Sequence, residues 1–576
     1  MASPLAKLPA RYLVQAVGLS VLRQAAREWT GTPPHLLSLS YPKPDGFSAQ
    51  PKDLRPPERE NGLRIMSGAF VFGGETVAPG PRGDPWNRAS PSRRFAVGLH
   101  RFGWMRDLLT GGPEAAAEGL RLTLEWRRTF GRWNAFSWSS DVLERRVFNL
   151  ACAGRAITAR ASDAETAQIA LDLARQARFL LGLNEGPARA AERACAAAVA
   201  GCALADPAGE RLMTKALAKL VRALPVTVQP DGGHASRSPQ AALELLFDLL
   251  TLDEALSQRG LPPPEELIRA IDRLGGAVRF FTLADGRLAA FQGGEAASRA
   301  YIAAARSLDD TPPDASGPVT RNGYQRLESR ALQVLADAAP PAKGAWSVTA
   351  CAQPLAIEVL VGGKRLVVGG GWSPNAQAPQ AMRLVDAAST ASVGDAHCGQ
   401  PLRGFPAQVL GPRLVSAPDK VEARRHEAEG AQWLEMSHDG WAERFGLRHE
   451  RRLYVDVAAD ELRGEDRFSP TGAAPGPDGR RFIPFMVRFH LAPGVQAQVA
   501  RDKKSVLLKP EGGDAGWWLR NDALEVAIEP SVHYERGMPR RSQQIVLRGQ
   551  ARLESGARVR WKLSQANRVD APAPDA

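Results

Sequence analysis

The architecture of this chain is most directly inferred from Leu355-Ala-Ile-Glu-Val-Leu-Val361, Gly362-Gly363-Lys364 and Arg365-Leu-Val-Val368. Two short apolar runs on either side of a glycine pair are typical of a β-hairpin. Similar runs with alternating apolar residues follow at 407–415, 433–437, 449–457, 482–491, 495–499, 505–508, 524–528, 544–547 and 559–563. About a dozen short strands in one series predict an antiparallel β-sandwich, here over residues 335–566.

Upstream of this hairpin the apolar residues recur with helical spacing instead. Helices are predicted at 188–205, 209–223, 239–258 and 264–282, with proline or glycine between them. Repeated helix-turn-helix units of this length favour an α/α toroid, an incomplete barrel, over residues 65–320. Breaker clusters at 309–314 and 339–344 separate the two patterns. The sequence therefore predicts a multidomain α+β protein, a helical toroid followed by a β-sandwich.

Both ends of the chain differ from these two domains. Residues 1–64 are predicted to form a lead-in, with an amphipathic helix around the apolar run 12–22 and an extended segment over 29–65. The last residues, 567–576, are predicted to be a disordered tail. Since no run approaches about 18 uninterrupted apolar residues, no transmembrane span is expected. The apolar run lacks a clear cleavage site, so it does not predict a signal peptide.

Charge narrows the class of partner without identifying it. The 576 residues carry a formal net charge of +12, and the pI is about 9.7. Nucleic acid, an anionic lipid surface and a uronic-acid polysaccharide would all be attracted by this charge, although a solvated basic surface is an equal alternative. No nucleic-acid-binding module, Walker loop, HExxH or GxSxG motif is present. Nucleic acid is therefore not predicted as a partner.

Several motifs together resemble one family. They are Pro230-Asp-Gly-Gly-His234-Ala-Ser-Arg237-Ser-Pro239, Gly323-Tyr-Gln-Arg-Leu327, Ser437-His-Asp-Gly440, Phe445-Gly-Leu-Arg-His-Glu-Arg-Arg-Leu-Tyr454, Gly464-Glu-Asp-Arg467 and Val487-Arg-Phe-His490. Their order and spacing, over about residues 65 to 565, resemble the heparinase II/III-like proteins of a proteobacterial branch. The resemblance implies a polysaccharide lyase, with a glycan cleft between toroid and β-sheets. An acidic, uronate-containing polysaccharide would then be the partner.

The implied reaction is β-elimination, which needs a group that neutralises the uronate carboxylate, a base for the C5 proton and an acid for the departing O4. His234, in a loop beside Arg237, and Tyr324, at the domain junction, are the predicted catalytic residues. Arg237, Arg326 and His490 are the predicted substrate-binding residues. A structural alternative stays open for each: His234 could close a turn, Tyr324 could pack between domains, and His490 could be a satisfied strand histidine.

The sequence departs from the active lyases of this family at three places. Where those enzymes have Asn-His, this chain has Ala188-Arg189. The tyrosine expected after Ser-Pro is replaced by Ala241-Ala242, and the His-rich strand that enters the β half is replaced by Cys351-Ala-Gln353. These departures leave a second hypothesis open, a catalytically degenerate glycan-binding or envelope-associated protein of the same fold.

Cofactor and compartment are weakly constrained by the sequence. No cofactor and no metal ligands are predicted. A structural zinc or calcium in the β half, held by His438, Asp439 or His490 with His397 or His449, is an alternative without diagnostic spacing. The resemblance implies the cell envelope or periplasm, and the missing signal peptide leaves the cytoplasm as the alternative. The oligomeric state is not predicted.

Overall fold

The computed structural model describes residues 10–30, 32–308, 319–372, 379–428, 430–472, 481–513 and 515–566, with Arg27 described by its backbone alone. The helices of the first half are α1 (Ala10–Thr30), α2 (Pro33–Ser40), α3 (Arg59–Met66), α4 (Arg93–His100), α5 (Trp104–Leu108), α6 (Gly112–Phe130), α7 (Ser140–Ile157), α8 (Asp163–Gly182), α9 (Ala190–Ala203), α10 (Ala208–Thr227), α11 (Pro239–Gln258), α12 (Glu265–Phe281) and α13 (Arg299–Ala305). A short hairpin, β1 (Phe70–Phe72) and β2 (Glu75–Val77), lies among them.

Local sequence signals explain where these helices begin. Ser162 and Glu165 form a reciprocal capping box at the start of α8. Ser238 accepts a hydrogen bond from the Ala241 amide at the start of α11, which also has proline in its first turn. Such caps satisfy backbone amides that have no partner within the helix.

The alanine-rich helix α9 lies at the centre of the helical half, where it contacts α7, α8, α10 and α11. Small side chains allow this close packing, because a Cβ atom added at Gly201 would lie 2.5 Å from the Met213 amide nitrogen of α10. The helices around α9 form the incomplete toroid that the sequence predicts.

The β half contains two antiparallel sheets. Its strands are β3 (Thr320–Arg321), β4 (Tyr324–Glu328), β5 (Leu332–Asp337), β6 (Ile357–Val361), β7 (Lys364–Val368), β8 (Ala391–Val393), β9 (Gln400–Pro401), β10 (Leu414–Ser416), β11 (Val421–Ala428), β12 (Ala431–His438), β13 (Leu447–Asp456), β14 (Glu461–Pro470), β15 (Phe482–Leu491), β16 (Gln496–Val499), β17 (Ser505–Lys509), β18 (Trp517–Asn521), β19 (Glu525–Glu535), β20 (Met538–Arg552) and β21 (Ala557–Gln565), with the short helices α14 (Gly404–Leu410) and α15 (Ala442–Phe445).

The two large sheets pack face to face as a sandwich. One has the order β19-β20-β15-β7-β6-β5-β4-β3, with β8 also paired to β15, and the other has the order β11-β12-β13-β14-β21-β18-β17-β16. Aromatic pairs cross the interface: the ring centroids of Phe468 and Phe485 are 4.2 Å apart, and those of Phe489 and Trp561 are 4.9 Å apart. The predicted hairpin is β6–β7, near the middle of the first sheet. The predicted fold class is therefore confirmed.

Two local predictions are wrong. The segment 29–65 is not extended throughout, because it contains α2 and α3. The segment 407–415, predicted as a strand, begins with the end of α14 and enters β10 only at Leu414. A short apolar run fits a buried helix turn as well as a strand, and here Val409 and Leu410 pack against α1.

Helix α1 has two unlike faces. Tyr12 and Ala16 pack on α14, and Arg23 donates a hydrogen bond to the Val409 carbonyl. The opposite face exposes Leu13, Val14, Val17 and Val21, of which Val14 is 71% accessible. Among the helices of the described residues, none is long and apolar enough to cross a membrane.

The two halves meet between α13 and β3. Helix α13 ends at Ala305, and the nine-stranded sheet begins at Thr320. Residues 309–318 between them, and the predicted disordered tail 567–576, lie outside the described residues.

Candidate functional site

The Asp-Gly-Gly-His loop, residues 229–238, connects α10 to α11 and lies at the junction of the two halves. Asp231 accepts a hydrogen bond from the Gly233 amide at 2.9 Å, and a bridge pairs Val228 with His234. The Asn322-Gly323 turn between β3 and β4 packs directly on this loop, since a Cβ atom at Gly233 would lie 2.2 Å from the Asn322 Cγ. Because Gly233 has no side chain, the Asn322-Gly323 turn of the β half can pack directly against the helical half.

His234 is enclosed at this junction, with only 3% of its surface exposed. Its Nδ1 lies 2.7 Å from the Ser236 hydroxyl, and its ring meets Trp346 edge-on at 5.6 Å. Its Nε2 lies 3.5 Å from a Glu192 carboxylate oxygen and has no hydrogen-bond partner among the described residues. Ser236 and Trp346 therefore hold the imidazole in place, and its Nε2 faces the Glu192 carboxylate.

Arg189 occupies the place where the resemblance expects an Asn-His pair. Its backbone is left-handed, with φ of 60°, just before α9. Its guanidinium donates to Glu144 at 3.0 Å and lies 3.7 Å from Glu192. Burial would raise the pKa of Glu192, but the charge of Arg189 lowers it below its ordinary value. Ion pairs therefore link Glu144, Arg189 and Glu192, and the Glu192 carboxylate faces His234, whereas the Arg189 side chain is half exposed.

Arg237 is nearly fully buried, and its guanidinium donates hydrogen bonds to the β half. It donates to the Asp337 carboxylate at 2.6 Å, and to the carbonyls of Asn322, Ala339 and Pro340 at 3.1, 3.0 and 2.9 Å. Burial alone would lower the pKa of Arg237, and the Asp337 carboxylate raises it above its ordinary value. The guanidinium joins the two halves of the chain.

Tyr324 lies beneath this guanidinium, with no exposed surface. Its hydroxyl donates to the Arg237 carbonyl at 2.9 Å, and its ring contacts Phe281 edge-on at 5.1 Å. Burial and the nearby Asp337 raise the pKa of Tyr324 well above its ordinary value, which keeps the phenol neutral. Gln292 completes the group by donating to Asp337 at 2.8 Å. We call Arg237, Tyr324, Asp337 and Gln292 the junction cluster.

The other two predicted binding residues lie apart from the loop. Arg326 is two residues beyond Tyr324 on β4, and its guanidinium contacts the Phe280 carbonyl and Glu328. His490 is on β15, where its ring bonds to the Ser531 hydroxyl at 2.8 Å and to the Asp386 carbonyl at 3.0 Å. Burial lowers the pKa of His490 to about 4. The structure thus brings His234, Arg237 and Tyr324 together and leaves His490 elsewhere.

A second buried polar cluster lies inside the sandwich. His438 and His449 are 3.2 Å apart, and His449 lies 2.8 Å from Asp466, which also accepts from Arg451 and Trp561. Burial lowers the pKa of both histidines. Across the described ranges, no group of three or more His, Cys, Asp or Glu side chains is arranged to hold a metal ion.

An open interdomain cleft of about 1200 Å³ separates the toroid from the sandwich. Its acidic lining residues are Glu58, Glu244, Asp285, Glu295, Glu511 and Glu535, and its basic lining residues are Arg287, Arg299, Lys364, Arg365, Arg536 and Arg540. Many of these charges are already paired, for example Arg365 with Asp285 at 2.7 Å. The charges balance, so the cleft has no excess of positive charge to attract an acidic polymer.

The tip of the β19–β20 hairpin crosses one side of this cleft. Arg536 lies 3.3 Å from Glu58, and the Gly537 amide donates to Glu295 at 2.8 Å. The hairpin therefore ties the sandwich to the toroid at a second place, far along the sequence from the junction cluster.

Sequence reasoning missed the partners of the candidate residues. Three buried carboxylates were not predicted: Glu144, Glu192 and Asp337, which are 2%, 3% and 1% exposed. The available signal was an acidic residue inside an otherwise apolar helix or strand, since such a carboxylate needs a buried cation or donor.

Comparison with known proteins agrees with this geometry. The family description "Heparinase II/III-like, C-terminal" matches residues 311–562. Heparinase III shares the fold with a TM-score of 0.68 at 13% identity, over 96% of this chain and 92% of that one. A heparan sulfate lyase HepC mutant from Pedobacter heparinus gives a TM-score of 0.58 at 14% identity, over 99% and 92%. At such identities the likeness establishes the fold alone.

A much nearer relative is FtsZ-localized protein C of Caulobacter vibrioides (strain NA1000 / CB15N). The two chains are 51% identical over 565 residues, which is 97% of each. Full-length similarity of this extent, the matched C-terminal region and the shared two-domain fold lead to one conclusion: the chain belongs to the heparinase II/III-like family.

Proposed function

We propose that this protein works at the cell-division site in association with FtsZ, using the heparinase fold as a binding scaffold. The observation that carries the proposal is the 51% identity over 97% of the chain to FtsZ-localized protein C. The alignment covers both halves and leaves no large segment unmatched, which supports a shared role for the whole chain.

The junction cluster supports a scaffold rather than a lyase. A lyase needs a free cationic donor for the uronate and a phenol or imidazole that reaches the sugar. Here the donors of Arg237 are used on Asp337 and three carbonyls, and the Tyr324 hydroxyl is used on Arg237. His234 is enclosed by Ser236 and Trp346. These side chains therefore hold the two domains together rather than facing a substrate.

Helix α1 supports attachment to an envelope surface. Its outward face presents Leu13, Val14, Val17 and Val21 to solvent, which is typical of a helix that lies in the interface of a membrane. The net charge of +12 favours anionic lipid. Because the helix is held on α14 by its other face, it would bind lipid without leaving the protein.

Imaging tests the localisation. A fluorescent fusion of the full chain, imaged with labelled FtsZ in the organism that encodes it, is expected to coincide with FtsZ and to disperse when FtsZ is depleted. A fusion that stays evenly distributed in dividing cells contradicts the proposal.

Vesicle binding tests the role of α1. The purified chain is expected to sediment with vesicles of phosphatidylglycerol and phosphatidylethanolamine, and Val17→Asp/Val21→Asp should abolish this. Leu524→Asp is the matched control, because Leu524 is 72% exposed on the sandwich. Equal binding by all three proteins removes α1 from the proposal.

A polysaccharide lyase remains the alternative, because the interdomain cleft of about 1200 Å³ is large enough to hold a sugar chain. In that case a panel of uronate polysaccharides, including heparan sulfate and alginate, would yield unsaturated products with ultraviolet absorbance. Activity that falls about a hundredfold in His234→Ala would establish the lyase and overturn the scaffold. Absence of product across the panel, with a folded protein, supports the scaffold.

A further inference from the structure

A second, smaller pocket lies in the helical half, between the end of α8, the start of α9 and the last turns of α10. Its volume is about 300 Å³, and it shares no lining residue with the interdomain cleft. Its apolar lining consists of Leu180, Leu181, Leu183, Pro187, Ala190, Ala194, Ala223 and Val226. The volume is large enough to admit a large aliphatic side chain, and Val226 at the edge of the pocket is 52% exposed.

The charged residues around this pocket are mostly basic. Arg193, Lys219 and Arg222 line it, and the Glu185 carboxylate lies 3.7 Å from Arg193. Along α10 the cations follow one another at spacings of four, four and three residues: Arg211, Lys215, Lys219 and Arg222. All four cations of that helix therefore lie in a row on one face. We call this pocket and the α10 row the basic pocket.

The cations of the basic pocket are held in different ways. Arg193 is 7% exposed and donates to the carbonyls of Gly186 and Ala188, so its position is fixed. Lys219 donates to the Leu181 carbonyl at 2.7 Å. Arg222 is exposed and has no hydrogen bond or ion pair with any described residue. At least one cation at the mouth is thus available to a ligand.

We propose that the basic pocket binds an acidic peptide segment of a partner protein, with one large apolar side chain of that segment inserted between α8 and α10. A concave pocket accepts a protruding side chain, whereas a membrane surface is matched by a convex face such as that of α1. The pocket has no aromatic lining on which a nucleobase could stack. The proposal stands independently of the role of α1 and of lyase activity.

Fluorescence anisotropy with the full-length protein tests it. The probe is a short fluorescein-labelled peptide of Asp, Glu, Ser and Gly with one central Leu. A control peptide has Ser in place of that Leu. The Leu peptide is expected to bind, and the Ser peptide to bind at least about tenfold more weakly, since the pocket contributes through apolar burial.

Variants locate the binding surface. Lys215→Glu/Arg222→Glu should weaken the Leu peptide about tenfold or more, because two attractions become repulsions. Val226→Asp should also weaken binding of the Leu peptide about tenfold or more, because it places a carboxylate in the apolar lining of the pocket. Arg558→Glu, an exposed charge reversal on β21, is the matched control and should bind normally.

Three results would overturn the proposal. They are no binding of the Leu peptide at low salt, equal binding of Leu and Ser peptides, or equal binding by the pocket variants and the control. Loss of sedimentation with anionic vesicles in Lys215→Glu/Arg222→Glu, without loss of peptide binding, would assign the surface to lipid instead.

Discussion

Replacing Arg237 by methionine should destabilise the protein by about 4 kcal/mol, because a buried ion pair loses one partner. The guanidinium is 7% exposed and donates to the Asp337 carboxylate, with three further bonds to carbonyls of the β half. Its removal leaves Asp337 as a buried charge that still accepts a hydrogen bond from Gln292. It also leaves carbonyls without donors, at about 1–3 kcal/mol for each group that water cannot reach.

Urea unfolding of the wild-type protein and of the variants in a double-mutant cycle measures this loss of stability. Arg237→Met, Asp337→Asn and the double variant should show a coupling free energy of about 2 kcal/mol, since the carboxylate no longer needs its cation once neutralised. Arg330→Met, an exposed arginine between β4 and β5, is the control and should change stability by less than about 0.5 kcal/mol. A loss below about 1 kcal/mol in Arg237→Met, or no coupling, would refute the structural role and favour ligand binding by Arg237.

Other perturbations have equally definite outcomes. Tyr324→Phe should cost about 1 kcal/mol in urea unfolding, because the Arg237 carbonyl loses its donor; a loss above about 3 kcal/mol would contradict this. His490 has a folded pKa of about 4 and an unfolded pKa near 6.5, so the free energy of unfolding should fall by up to about 3 kcal/mol as the pH drops through this window. The drop should be smaller in His490→Gln, and identical pH profiles would show that His490 does not contribute. Gly201→Ala should cost about 2 kcal/mol because its Cβ meets the α10 backbone, whereas Gly275→Ala, with open space around it, should gain about 0.5 kcal/mol; equal urea midpoints would contradict the packing argument.

Periodicity predicts much of this fold because burial on one face repeats along each element. The β6–β7 hairpin and the helices α9 to α12 follow such patterns and were predicted. The segments at α2 and α14 were not, since a run of a few apolar residues has no measurable period and its packing partner decides its conformation. For α14 that partner is α1, almost four hundred residues earlier in the chain.

The candidate site was predictable as a location but not as a set of contacts. Asp-Gly-Gly-His marks a tight loop, and Gly323-Tyr324 marks a turn. The hydrogen bond that joins them, from Tyr324 to Arg237, spans 87 residues of sequence. Nothing local distinguishes an arginine that binds a substrate from one that binds Asp337. By contrast, the His438–His449 pair follows from the antiparallel register of β12 and β13, which places these residues opposite each other.

The packing of α1 on α14 has a consequence for biosynthesis. Arg23 and its acceptor Val409 are separated by 386 residues, and chains elongate at about 5–20 residues per second. Helix α1 therefore leaves the ribosome roughly 20–80 seconds before its docking site exists. During that interval both of its faces are uncovered, the inner one with Ala16 and the outer one with Val17. In a nascent chain, α1 thus exposes more apolar surface to chaperones and lipid than it does in the finished protein.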